Sequence, residues 1–362
     1  MDLTATCRTL SEAASAAARL LPVKYGNAAL SGVLLEAGAA GLTLSGNDHE
    51  RAARLHCAAT VHTDGAALVP AAALAETLRM LDAPQVRLVV EGSRLAVRVP
   101  GARFALPLLD RDLHPGAVAP PEKVAEVDGA LLARALRSVA GTASRDETLP
   151  VFTGVRMRLV GDRLELVASD RYRMAIASMP VVSGYSELDA LVPATLLTEL
   201  GKQASGPIGL HADRNRFALS WSGNVASTAV LDGGFLSAEA IPTGQVDTAL
   251  ELNAEALAAA VRRVSFFADG LRALTLEVGD NQVRLASTRD QTGEAEEFVK
   301  ADVSGGRTSP SFQAKYLLDA LQPFADRDIR LEFQPGKRAT VLREVTPGEV
   351  ELKYLLMPIV AR

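Results

Sequence analysis

Apolar residues recur at three- and four-residue spacing over residues 10–21, 130–140 and 254–264, the period of a helix with one buried face. A second helix is expected after each of these, at 71–81, 194–203 and 315–324. Elsewhere the period changes to two. Residues 155–167 alternate around the turn pair Gly161-Asp162, and 94–108 alternate likewise, so both read as antiparallel hairpins. The order helix, strands, helix, strands recurs three times. It predicts an α+β chain in which each unit lays two helices on antiparallel sheet.

The recurrence is also visible in the residues themselves. LTLSGND at 42–48, LELVASD at 164–170 and VRLASTRD at 283–290 each end on an aspartate, 122 and 120 residues apart. VRL at 86–88, IGL at 208–210 and IRL at 329–331 repeat in the same phase, as do LVPAAALAETL from Leu68 and LVPATLLTELG from Leu191. FQAKYLLDAL from Phe312 is a weaker third copy of the last pair. Three independent markers at one spacing identify a tandem repeat. The expected domains are 1–121, 122–246 and 247–362, the first boundary falling in the proline-rich stretch HPGAVAPP at 114–121.

Composition narrows the function. The chain is 48% hydrophobic with a single Trp, which implies an aliphatic core. It lacks an apolar run long enough to span a membrane and a basic-then-apolar start, so no membrane partner is expected and the place of action is expected to be cytoplasmic. Cys7 and Cys57 are isolated and read as reduced thiols. Walker A, GxSxG, HExxH and dinucleotide fingerprints are all missing, which weakens hydrolase, kinase and dehydrogenase readings without excluding an enzyme that has no short signature, and no cofactor is expected. His49, Glu50, His56, Cys57 and His62 lack the paired spacing of structural zinc sites and read as solvated strand-face residues. Asp48, Asp170 and Asp290 recur once per unit, which fits turn residues better than a carboxylate pair converging on one cleft.

The net charge is −5, yet the helical windows and their flanks carry nine basic side chains against six acidic ones. A basic helical face on an acidic protein is one account of this. Ordinary solvated helices are the other.

LPVFTGVRMRLVGDRLELVASDRYRMAIASMP at 149–180 and YLLMP at 354–358 resemble the bacterial DNA polymerase III beta subunit, the beta sliding clamp. The threefold period, the SGND turn from Ser45 and the LVP helix starts extend the resemblance over the whole chain. The resemblance implies three tandem clamp domains forming half of a closed ring, completed by a second copy, around double-stranded DNA without regard to sequence. It implies a non-catalytic processivity subunit whose partners, the polymerase III alpha subunit, the clamp loader and repair polymerases, dock through short peptides. Carried over position by position, the peptide pocket would use Val151, Phe152, Ser169, Arg171, Tyr172, Arg173, Met174, Leu236, Ile241, Leu355, Met357, Pro358 and Ile359. Lys24, Arg134, Arg137 and Lys202 would face DNA, and Phe104, Leu106 and Phe266 would lie at the dimer junction.

The sequence also departs from that family's pattern. Leu236, Glu239 and Ala240 stand where a proline and basic residues are usual, and the chain ends Ile359-Val360-Ala361-Arg362, without an arginine soon after the Met-Pro pair. Ala71, Ala72 and Thr195 occupy positions that are often basic in the family. The expected outcome is a pocket rim with less positive charge. Two alternatives are open on this reading: a clamp-like scaffold that forms no ring on DNA, and a specialised clamp copy that resists a pocket-binding inhibitor.

Overall fold

The structure, a computed structural model, describes residues 1–20, 27–184, 186–203, 205–235, 244–268, 273–289, 293–336 and 338–359. Among the described residues six α-helices stand close to where the periodicity puts them: α1 (Cys7–Leu20), α2 (Ala71–Arg79), α3 (Gly129–Val139), α4 (Ala194–Leu200), α5 (Ala254–Val264) and α6 (Ala314–Leu321). Differences at their ends have local causes. Cys7 is buried three residues before buried Leu10, so the apolar stripe of α1 begins a turn earlier than expected. Gly201 ends α4, and Pro323, which has no N–H to donate, turns the end of α6 into a short 3-10 segment, Gln322–Phe324. Asn253 caps α5 by accepting from the N–H groups of Glu255 (3.1 Å) and Ala256 (3.2 Å). Prolines 70 and 193 precede α2 and α4, where a missing N–H costs nothing.

The chain forms two compact units. The first comprises Met1–Ala130, Val182–Ser186 and Lys202–Val230. It holds a five-stranded antiparallel sheet in the order Ala59–Thr63, Asp2–Thr6, Gln85–Glu91, Arg94–Val99, Ala102–Pro107. Its second sheet has nine strands, in which Asn224–Ala229 from the middle repeat pairs with Arg51–Cys57 from the first. α1 packs on α2, and Leu10, Ala14 and Ala17 of the first helix and Leu74 and Leu78 of the second are all buried.

The second unit comprises Leu131–Val181, Glu187–Gly201 and Leu231–Arg362. Its nine-stranded sheet joins the middle repeat to the third where Arg173–Pro180 pairs with Glu351–Leu356, Met174 opposite Leu355. A four-stranded sheet runs in the order Gly293–Lys300, Gln282–Arg289, Ala273–Gly279, Ser311–Gln313, and α5 packs against α6. Sequence repeats and compact units therefore do not coincide. Backbone ladders cross from one repeat to the next, and the strands of the middle repeat are shared between the two units.

The expected hairpins are present: Gly154–Val160 pairs with Arg163–Ser169, and Arg94–Val99 with Ala102–Pro107. His56 and His62 lie exposed on their strands, meeting the Thr43 hydroxyl at 3.3 Å and the Thr4 hydroxyl at 2.9 Å. Cys7 and Cys57 are buried free thiols whose pKa burial pushes up. Among the described residues no helix is long and apolar enough to cross a membrane, and no group of three or more His, Cys, Asp or Glu is placed to hold a metal ion.

Candidate functional site

The repeated aspartate builds a turn. Asp170 follows the strand Arg163–Ser169, and its Oδ1 accepts from the N–H groups of Tyr172 and Arg173, each at 3.1 Å. Ser169 Oγ donates to the Arg173 carbonyl (2.8 Å) and accepts from the Arg171 N–H (3.2 Å). Closing the turn so tightly puts Arg171 at φ 79°, a left-handed conformation that costs a side-chain-bearing residue about 1–2 kcal/mol. Asp48 makes the same turn in the first unit: its Oδ1 accepts from Glu50 (3.0 Å) and Arg51 (2.5 Å), and His49 sits at φ 75°. Asp290 lies outside the described residues.

Beyond the turn, Arg173 runs inward. Its Nε pairs with Asp170 at 3.0 Å, and its Nη1 reaches Asp319 on α6 at 2.7 Å and the Tyr354 hydroxyl at 3.2 Å. Nη2 donates to the Gly141 carbonyl, and the guanidinium lies 4.9 Å from the Tyr316 ring centre. Burial alone would lower the Arg173 pKa. Facing Tyr354, Asp170 and Asp319 outweigh it and raise the pKa, so the charge is held. Burial pushes the Tyr354 hydroxyl up, with Arg173 opposing. Tyr172 stacks on Tyr316 at 5.9 Å and 16°, and the Arg171 guanidinium lies over the Tyr172 ring at 5.8 Å. The result is a stack of two guanidinium groups and two phenols that fixes the turn against α6.

Beside this stack lies an apolar patch. Val167, Met174, Ile176, Ala339, Val341 and Leu355 form a buried cluster, and half-buried Phe235 packs against it. Phe152 meets Phe235 edge to face at 6.3 Å. Gly233 makes the approach possible: its φ is +122°, and a Cβ there would stand 2.5 Å from Val151 Cγ1. Exposed Met357 donates its N–H to the Tyr172 carbonyl (3.0 Å), and Ile359 donates to the Ser311 carbonyl (2.7 Å), with half-buried Pro358 between them. Eleven of the thirteen expected pocket residues are thus described, all in the second unit. Leu236 and Ile241 lie outside the described residues.

Phe235, Ile176, Val341, Tyr316 and Lys353 also belong to this surface and were missed in the sequence. Tyr316 falls in the weak third copy of the helix motif, which was its only signal. The expected loss of rim charge rests on 236–243 and 360–362, outside the described residues. Within the described part, Arg171 and Lys353 bring positive charge beside the patch.

The remaining candidates are dispersed. Arg134 on α3 pairs with Glu344 at 3.2 Å, a buried carboxylate that also holds Arg327 at 2.6 Å, so its charge is engaged within the protein. Arg137 and Lys202 are exposed, and Lys24 lies outside the described residues. Phe104 is 42% exposed on the edge strand Ala102–Pro107, and Phe266 is 75% exposed beside Phe267. Leu106 is only 9% exposed and serves the core of its own unit.

Solved structures share this fold. The DNA polymerase III beta subunit of Thermotoga maritima aligns over 100% of both chains with a TM-score of 0.92 at 22% identity. A Pseudomonas aeruginosa sliding clamp bound to griselimycin aligns equally fully, with a TM-score of 0.90 at 21% identity. The architecture is that of three tandem clamp domains. Family profiles of the DNA polymerase III beta subunit match in order, the N-terminal domain at 1–118, the central domain at 126–236 and the C-terminal domain at 238–360. The beta sliding clamp of Streptomyces coelicolor is 30% identical, covering 97% of this chain and 96% of its own. The chain belongs to the DNA polymerase III beta subunit family, the beta sliding clamps, which are non-catalytic processivity factors. These matches fit the clamp reading and give no support to the scaffold or specialised-copy alternatives.

Proposed function

We propose that two copies of this chain close head to tail into a ring around double-stranded DNA and tether polymerases to it by binding their short peptides. The supporting observation is the threefold repeat of two helices on antiparallel sheet, matched over its whole length by clamp-domain profiles. Enclosure keeps the clamp on DNA without tight local contacts, so diffuse positive charge such as Arg137 suffices. The domain division 1–121, 122–246 and 247–362 and a cytoplasmic place of action belong to the same reading.

Closure uses two unpaired sheet edges. Ala102–Pro107 ends one sheet and Gly293–Lys300 ends another. The first edge carries Arg103 with Arg98 beside it, both held by Glu91, and the second carries Glu294 together with Glu296 and Glu297, which hold Arg284 and Arg263. Pairing the first edge of one copy with the second edge of its partner is a heterologous contact that closes on itself after two subunits. Phe104 and Phe266, both exposed, lose their water contact on that closure.

The patch that holds Phe235 is the peptide site. Half-buried Phe235 of the chain itself rests on it, which supports an aromatic anchor in the bound peptide. Sedimentation equilibrium tests the ring: a dimer of the 38.1 kDa chain is expected at micromolar concentration, and a monomer throughout would overturn closure.

A further inference from the structure

Around the apolar patch the sheet face is charged, and among the described residues of that face the arginines are matched while Lys353 is not. Strand register places Ile176 directly opposite Lys353, and Lys353 directly opposite Arg343, so these side chains share a face with Met174, Leu355 and Val341. On one side, Arg156 makes a two-pronged bond to Asp189 (2.8 and 2.6 Å), and Arg158 pairs with Glu165 (3.1 Å). On the other side Arg343 and Arg330 share Glu332, and Arg330 also holds Glu251 at 2.7 Å. Lys353 is half-buried and has no carboxylate within ion-pair distance among the described residues. The nearby carboxylate, Glu332, is taken by two arginines. Burial, with Arg343 beside it, pulls the Lys353 pKa down, while Glu332 partly offsets this.

We propose that Lys353 is the acidic-residue socket of the peptide site, pairing with an Asp or Glu side chain that the bound peptide carries next to its apolar anchors. The inference rests on the peptide-site reading above and deepens it. A half-buried ammonium beside an apolar floor is short of a counter-charge, and a ligand that supplies one is favoured over a neutral or basic ligand of the same shape. The sheet-face arginines Arg156, Arg158, Arg330 and Arg343 already hold carboxylates, and Arg171 stands on the turn over Tyr172, so on the sheet face the preference is concentrated at Lys353. Partners are thereby sorted by where their carboxylate stands relative to their anchors.

Fluorescence anisotropy tests this with labelled synthetic nonapeptides that carry a Phe anchor, the side chain that rests on the patch in this chain, and one Asp moved through the other positions, each compared with its Asn counterpart. On the full chain, one position is expected to give Asp about a tenfold advantage over Asn, shrinking as salt rises from about 50 to about 500 mM. In Lys353→Met and Lys353→Gln that ratio is expected to fall close to one. An Asp advantage that is absent at every position, or that survives in both variants, overturns the proposal. Failure of the underlying site has a different signature: no peptide then binds, or Met174→Glu leaves binding of the Asn peptides intact. Unfolding midpoints of the variants establish that they are folded.

Discussion

Asp48 and Asp170 occupy equivalent turns in two repeats, yet they carry different loads. Asp48 satisfies two backbone N–H groups. Asp170 satisfies two and also holds Arg173. Asp48→Ala is expected to cost about 1 kcal/mol, the size of a lost cap, and Asp170→Ala about 2–3 kcal/mol, because a buried guanidinium also loses a partner. Urea unfolding of the two variants measures the difference. Two histidines set an acid limit on the first unit. Burial lowers the pKa of His114, with Glu36 opposing, and burial with Lys123 lowers that of His211 against the Pro121 carbonyl. A histidine held neutral in the fold takes up a proton more readily when unfolded. Stability is therefore complete well above the ordinary value of 6.5 and declines as pH falls through it towards the depressed folded values. The urea midpoint is expected to drop between about pH 7.5 and about pH 5.5, and to drop less in His114→Gln. The turn aspartates were legible because they recur in sequence. The stack around Arg173 was not, since Tyr316 and Asp319 come from α6 of another repeat and meet the turn only after folding.

At the level of elements, the helices were legible to within a turn because amphipathic spacing, the prolines at 70 and 193 and the cap at Asn253 all act locally. Asn253→Ala is expected to cost about 1 kcal/mol, read from the same urea curves. What local pattern did not reveal was strand pairing across repeats. Val225 opposite Arg54 and Met174 opposite Leu355 are matches between distant segments, and alternation alone does not name a partner strand. The unpaired edges carry the consequence for assembly. Phe104→Asp places a charge on the edge proposed to pair with the partner subunit, so its dimer dissociation constant is expected to rise at least about tenfold in sedimentation while the monomer stays folded. An unchanged constant would move the junction elsewhere.

Across the whole molecule, the resemblance to sliding clamps and a net charge of −5 point in different directions, one to a ring on nucleic acid and the other away from nucleic acid. Pairing within the fold explains part of this. Arg8, Arg79, Arg134, Arg262 and Arg263 are each joined to a carboxylate, so little of the helical excess is free to grip phosphate. Weak grip suits a protein that must slide, provided that retention comes from topology. The decisive measurement is therefore the fate of the protein loaded by a clamp loader and ATP onto nicked circular DNA, before and after a restriction enzyme opens the circle. Retention on circles and escape from linear molecules at the same salt is the expected result. Equal retention on both, or loss from both, would contradict encirclement.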